Sequence, residues 1–456
     1  MTGTATRAGW VRYTILAMLF LVSIINYADR AILAIAAPSL SKDLALDPLE
    51  LGIVFSAFGW AYVIAQIPGG WALDRFGTKS VYLVGITLWS IFTAAQGTVT
   101  AFGASAAVSV LFVLRFLVGF AEGPSFPGNA RLVAAWFPAA ERGTASAIFN
   151  ASQYFATVLF APIMGWITFT FGWPYTFFFM GALGLVAAVA WLFTVYGPRN
   201  HPRVSDAEID YIAAGGALVD MDRQAVERPA PALGKTRAEL RVLLTSRTLW
   251  GIYIGQFAIN TLTYFFITWF PVYLVQERGM TIVKAGIFAS APAICGFLGG
   301  VLGGIWSDWM LRRGLSLTVA RKVPVICGML VSLAIVACNY AATDTLVLLF
   351  MSIAFFGKGV GALGWAVVAD VAPREIAGLS GGLFNMFGNL SSILTPIIIG
   401  GILHGTGSFR LALVFVAGNA LLAAFSYLVI VGRVERMQGP AAPAELLPTQ
   451  TAAASA

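Results

Sequence analysis

The chain has 456 residues, of which 59% are hydrophobic and 11% charged, with a mean hydropathy of +0.82 and a formal net charge of +7. A soluble domain carries about 25% charged residues, so a soluble enzyme or binding module is excluded. A chain built to live in lipid remains.

Continuous apolar runs of roughly 20 residues, each long enough to cross a bilayer as a helix, recur about twelve times. Their expected limits are 11–40, 51–72, 80–99, 103–125, 143–170, 174–196, 250–275, 282–307, 322–341, 344–369, 377–404 and 408–433. The runs do not alternate in short segments, which disfavours a membrane barrel. Arg7 and Arg12 precede the first run as in a signal peptide, but Asp29-Arg30 interrupts it and further spans follow, so it reads as a retained first helix.

Residues 197–248 are the one long polar interruption, expected as a linker between an N-terminal bundle (1–196) and a C-terminal one (249–436), with a disordered tail at 437–456. SDAE at Ser205–Glu208 is a capping-box pattern. IDYIAAGGAL after it has the spacing of an amphipathic surface helix, and MDRQAVERPAPALGKTR beyond it looks flexible.

The basic residues decide orientation. With the N-terminus inside, 21 of the 28 fall on inside segments, while Lys42, Arg278, Lys284 and Arg410 fall outside. The positive-inside rule puts both termini in the cytoplasm, and the excess charge is topology rather than nucleic-acid binding. Cys295, Cys327 and Cys338 sit in apolar runs and read as packing residues, with no disulfide or metal framework.

The two halves repeat. GGWALDRFG at Gly69–Gly77 returns as GGIWSDWMLRRG at Gly303–Gly314, with Gly70 and Asp74 matching Gly304 and Asp308. PAAERGTASAIFN at Pro138–Asn150 returns as PREIAGLSGGLFN at Pro373–Asn385 at nearly the same offset. A six-plus-six parallel repeat across a central loop is the plan of major facilitator transporters, with the site at the midplane between halves. The fold class is therefore an all-α membrane protein of twelve helices in two six-helix halves. GFLGGVLGG at Gly296–Gly304 and GLSGGLFNMFGN at Gly378–Asn389 suit helices that slide, or static close packing.

Charges inside spans cost about 2.5–3.5 kcal/mol each on insertion scales and mark pathways or structural ion pairs. Arg115 and Glu122 are seven residues apart, on one helix face and roughly 10 Å apart along the axis. Glu122 precedes Gly123-Pro124, where the helix should kink. Asp29 and Arg30 point about 100° apart, so each needs its own partner; a network tying Asp29 to Arg115 is the structural alternative. Lys358 in FFGKGVG is either a gate or anion attractor, or a snorkelling structural cation. Tyr62 is either a site residue or a core or belt aromatic. Gln153 and Asn385 are amides within spans, costly unless partnered.

The loop GGWALDRFGTK at Gly69–Lys79 resembles the major facilitator loop between second and third spans. INYADRAIL, FSAFGWAYVIAQIPGGW and RFLVGFAEGPSFPGNARLVAAWFP resemble the anion:cation symporter branch. YIGQFAINTLTYFFITWFPVYLVQERGM and AFFGKGVGALGWAVVAD narrow the resemblance to bacterial glucarate/galactarate and galactonate permeases. It covers about residues 10 to 436 and implies a proton-coupled importer of a sugar-acid anion, D-glucarate or galactarate, working by alternating access in the inner membrane. It implies that Arg30 binds a substrate carboxylate, that Asp29 and Glu122 carry protons, and that Arg115 couples Glu122 to the switch through an ion pair. Tyr62, Gln153, Trp365 and Asn385 would line the sugar-acid site. Asp74, Arg75 and Asp308, with Lys79, Arg374 and Glu375 nearby, would be cytoplasmic latches or topology signals. The expected partners are the small-molecule sugar acid, protons and the bilayer, with no cofactor and a monomer sufficing. The rivals are a galactonate or hexuronate importer, an exporter, a sensor or an intramembrane enzyme. APIMGWITF at Ala161–Phe169 lacks the antiporter motif of exporters, and the acids sit mid-span beside cations rather than at headgroup level.

Overall fold

A computed structural model describes residues 9–221, 233–373 and 376–437, and the regular structure among them is helical. Arg374, Glu375, most of the MDRQAVERPA stretch and all of the tail but Met437 lie outside the described residues. Six spans form the first half. They are α1 (Val11–Asp43), α2 (Pro48–Phe76), α3 (Thr78–Gln96), the broken pair α4 (Ala104–Glu122) and α5 (Ser125–Trp136), α6 (Arg142–Phe171) and α7 (Trp173–Thr194). The linker contributes α8 (Asp206–Ala214) and α9 (Leu233–Thr245).

The second half opens with α10 (Arg247–Tyr264), which runs through a π turn at Phe265–Trp269 into α11 (Phe270–Gln276). Next come α12 (Ile282–Arg312), α13 (Leu317–Ser332) with a 3₁₀ extension to Tyr340, and the broken pair α14 (Asp344–Val360) and α15 (Gly364–Val371). A second broken span, α16 (Ala377–Asn389) and α17 (Ser391–Thr406), precedes α18 (Arg410–Phe425). Among the described residues, eleven helices are long and apolar enough to cross a membrane, and the nineteen-residue α3 makes the twelfth span. This is a multi-pass membrane protein.

Local chemistry sets the boundaries. Asp47 caps α2 by accepting from the Glu50 amide, Glu50 reaches back to the Asp47 amide, and Pro48 supplies the first turn. Gly77, at φ +78, turns α2 directly into α3. The fourth span of each half breaks, at Gly123-Pro124 and at Gly361, so a discontinuity recurs where the sequence repeats.

Because alternate helices run opposite ways, α1 begins and α2 ends at one face, here the terminus end; the 43–48 turn lies at the distal end. Backbone-to-backbone approaches between the halves lie distally. A Cβ on Gly52 would sit 2.5 Å from the Pro396 carbonyl oxygen, one on Gly400 2.5 Å from that of Pro48, and one on Gly286 2.5 Å from that of Ala161. His404 and Asp47 add a cross-half contact of 3.5 Å. The described state is closed at the distal end.

The glycines at 296–304 serve another purpose than sliding. A Cβ on Gly299 would meet the Phe356 oxygen at 2.1 Å, and one on Gly303 the Val360 oxygen at 2.4 Å. They pack α12 closely on α14 within one half, whereas the close approaches between the halves lie at Gly52, Gly286 and Gly400.

The linker also differs from expectation. Ser205 caps α8, but Glu208 does not complete the box. Its carboxylate is buried and accepts from the Arg12 amide at 3.1 Å while facing the Arg12 guanidinium at 3.5 Å. Gly215 and Gly216 oxygens bind the Ala139 amide and the Arg142 guanidinium. The expected surface helix is thus docked on the first half, and the later part of the stretch expected to be flexible is helix from Leu233. Breaking a buried pair from one side costs about 3–5 kcal/mol. Glu208→Ala is therefore expected to release α8 and to speed proteolytic cleavage within 197–221, read by limited proteolysis in detergent; unchanged cleavage would contradict the docking.

Candidate functional site

Four charged side chains converge where α1 meets the break between α4 and α5. Tyr27 and Arg30 are three residues apart and so share one face of α1. The Arg30 guanidinium lies 4.9 Å from the Tyr27 ring centre and 4.8 Å from those of Phe58 and Tyr62 on α2, an aromatic cup for a cation. Its Nε donates to Glu122 Oε2 at 3.0 Å, with the Glu122 side chain fully buried. Glu122 can reach across because α4 stops there: the Gly123-Pro124 break ends the helix and frees its last side chain to point at α1.

Arg115 lies on the same helix, two turns before Glu122. It makes no ion pair with Glu122; it donates to the backbone oxygens of Asp29 and Arg30, each at 2.8 Å. Two turns of α4 separate Arg115 from Glu122, so both reach α1 at different heights, and Glu122 takes Arg30 as partner instead. Asp29 is fully buried, within electrostatic reach of Arg115 and Glu122, and neither carboxylate oxygen has a hydrogen-bond partner among the described residues.

Two cavities flank Tyr27. One lies between the halves and takes in Tyr27, Gln153 and Tyr154 from the first half and Thr263, Phe266 and Phe355 from the second. The other is smaller and takes in Arg30, Asn26, Ser23, Asn129 and Asn150 of the first half. The second half supplies Lys358, only 5% exposed, with Nζ 5.8 Å from the Tyr154 ring centre and 5.2 Å from that of Phe355.

The remaining expected site residues are more dispersed. Tyr62 stacks on Phe58 at 5.6 Å beneath Arg30. Asn385 donates across the interface to Gln66 at 3.0 Å. Trp365 is 45% exposed and stacks on Phe126 of the other half, away from the inter-half cavity. Gln153 faces that cavity but donates to its own helix at Asn150. Tyr27, Tyr154 and Gln66 were missed in the sequence, although Tyr27 lies one turn before Arg30 and Gln66 one turn after Tyr62.

At the terminus end, Asp74 pairs with Arg131, while Arg75 lies over the Trp71 and Phe76 rings. Asp308 faces Arg321 at 3.9 Å, and Arg321 binds Asp370 at 2.8 Å. The Asp74–Arg131 and Asp308–Arg321–Asp370 contacts join helices within each half. Among the described residues no group of three His, Cys, Asp or Glu side chains could hold a metal ion.

A twelve-span bundle of two repeated halves, with a cavity at their interface and buried charges beside it, defines a membrane transporter of the alternating-access kind. The chain belongs to the Major Facilitator Superfamily, whose profile matches residues 19–320. It is a transporter, not an intramembrane enzyme. It is 60% identical over 427 residues to the "Probable galactarate/D-glucarate transporter GudP" of Escherichia coli (strain K12), covering 94% of this chain and 95% of that one. It is 38% identical to the "D-galactonate transporter" of Escherichia coli O6:H1, covering 95% and 98%. Among solved structures, the D-xylose-proton symporter superposes with a TM-score of 0.71 at 16% identity, covering 92% of this chain and 98% of that one. An inward-facing bacterial homologue of the human lysosomal transporter Spinster gives 0.72 at 18% identity, covering 94% and 98%. Both show the fold.

Proposed function

We propose that this protein is a proton-coupled symporter that imports a six-carbon sugar diacid, D-glucarate or galactarate, by alternating access. The substrate class is supported by the names of relatives at 52–60% identity along nearly the whole chain. The mechanism rests on one observation: the Arg30 guanidinium, seated in an aromatic cup beside two cavities, is already occupied by Glu122.

A substrate carboxylate and Glu122 compete for the same guanidinium. Protonating Glu122 removes its charge and leaves Arg30 a fork for bidentate capture of the substrate. Substrate and proton therefore favour each other's binding, which is the requirement for symport. Asp29 is the second acid, positioned to take a further proton while Arg115 holds the backbone on which Asp29 and Arg30 ride. Tyr62, Gln153 and Asn385 offer groups that donate and accept with sugar hydroxyls; Trp365 would join them only after the halves move.

With the termini in the cytoplasm, as the basic residues favour, the distal end faces outward and the described state is closed to the outside. The membrane is the cell's inner membrane, one chain carries a whole pathway, and the Asp74, Arg75 and Asp308 contacts act as cytoplasmic latches.

Labelled D-glucarate uptake into liposomes holding the purified protein tests this. Accumulation driven by an inward proton gradient, blocked by galactarate and not by glucuronate, is the expected result. Uptake that only equilibrates whatever the gradient would overturn the proton coupling; flux of galactonate or glucuronate without glucarate would reassign the substrate.

A further inference from the structure

Lys358 is a charge with nothing to answer it. It sits mid-span on α14, is 5% exposed, and has no ion-pair or hydrogen-bond partner among the described residues. A buried ammonium without an anion costs several kcal/mol, and nothing in the packing of α14 requires one there. The neighbouring glycines Gly357 and Gly359 already make the close helix contacts, against Gly328 and Gly296.

Its surroundings point to the inter-half cavity. Phe355, one turn earlier on the same face, lines that cavity, as does Tyr154 across the interface, and Nζ lies within 6 Å of both ring centres. Tyr27 of α1 also lines the cavity, and Arg30 stands over that ring. Each cation thus stands against a tyrosine of the cavity wall, Arg30 from the first half and Lys358 from the second. Among the described residues, the charged groups buried or nearly so in mid-span are Asp29, Arg30, Arg115, Glu122 and Lys358. With both acids ionised they carry one net positive charge, and protonation of the acids raises it to three. Such a site calls for a dianion.

Accepting the sugar-acid reading above, we propose that Lys358 is the anchor for the second carboxylate of a diacid whose first carboxylate is held by Arg30, and so sets the preference for diacids over monoacids. A diacid then ties one half to the other through its own length. A monoacid of the same carbon chain engages Arg30 and leaves Lys358 unpaired, at the cost of a buried charge. Tyr27 and Tyr154, which both line the chamber, are the natural partners of the intervening hydroxyl groups.

The test is equilibrium binding to the purified protein of galactarate and of galactonate, its monoacid counterpart, for wild type, Lys358→Met and Lys358→Arg. A charge-assisted hydrogen bond is worth about 1.5–3 kcal/mol, or roughly 10–100-fold in affinity. Lys358→Met is expected to lower the ratio of diacid to monoacid affinity by about tenfold or more, and Lys358→Arg to restore most of it. Thermal melting of each variant in detergent reports folding separately. Equal weakening of both acids, or an unchanged ratio in a folded Lys358→Met protein, would overturn the role of Lys358 while leaving the transporter reading intact. Wild-type binding of neither acid would overturn the sugar-acid reading, and this proposal with it.

Discussion

Glu122→Gln is expected to uncouple the transporter while strengthening substrate binding at neutral pH. The wild-type carboxylate holds Arg30 at 3.0 Å in a site without exposure. The substrate must therefore displace an ion pair or wait for a proton, and wild-type affinity should rise as pH falls. Glutamine carries no charge and mimics the protonated acid, so Arg30 stays free at every pH. Apparent affinity at pH 7.5 should increase by about tenfold, the worth of one charge-assisted contact, and its pH dependence should flatten. Exchange of labelled for unlabelled substrate should survive, since the empty carrier need not reorient. Accumulation against a gradient should be lost. Asp29→Asn tests the second acid in the same assay, and Arg30→Ala should abolish binding where Glu122→Gln improves it. A Glu122→Gln protein that still concentrates substrate on a proton gradient would remove Glu122 from the coupling.

Much of this arrangement was legible in the sequence, for physical reasons. Charge is so costly in lipid that Asp29, Arg30, Arg115, Glu122 and Lys358 stood out as a set, and the paired motifs at Gly69 and Gly303 announced two halves. Pairing within the set was not legible. Helical spacing placed Arg115 and Glu122 on one face of their own helix and so suggested that they share a fate. A helix periodicity says nothing about the neighbouring helix, and α1 proved to divide the two: its backbone takes Arg115 and its Arg30 takes Glu122.

The same limit explains the glycine runs. Gly296, Gly299 and Gly303 were visible as a close-packing stripe, yet composition cannot tell a permanent helix contact from a moving one. Isolated glycines carry the close approaches between the halves. Gly52, seven residues before Gly59 on α2, meets Pro396 in the other half, and nothing in PLELGIVFSAFG marks it. Likewise Glu208 fitted a capping box by spacing but found a stronger partner in Arg12, nearly two hundred residues away.

Gly52 then carries the second large effect. In the distally closed state its Cα faces the Pro396 carbonyl with no room for a side chain, since even a Cβ would approach to 2.5 Å. The opposing surface is backbone and cannot rotate away, so Gly52→Val penalises this state and spares the one in which the halves part distally. Overpacking of this sort costs about 1–3 kcal/mol, and at the upper figure populations shift by roughly 100-fold. Gly401→Val is the matched control, because a Cβ there meets nothing within 4 Å although it adjoins Gly400, which packs on Pro48 and Gly52. Spin labels at Lys42→Cys and Thr406→Cys, with Cys295, Cys327 and Cys338 replaced by serine, report the distal opening directly. The expected result is a longer distance and uptake reduced about 100-fold for Gly52→Val, with Gly401→Val at wild-type values in both. Because the variant should still bind substrate, its failure would be one of closure rather than of recognition. An unchanged distance with normal uptake would mean that the halves do not meet at Gly52 during transport.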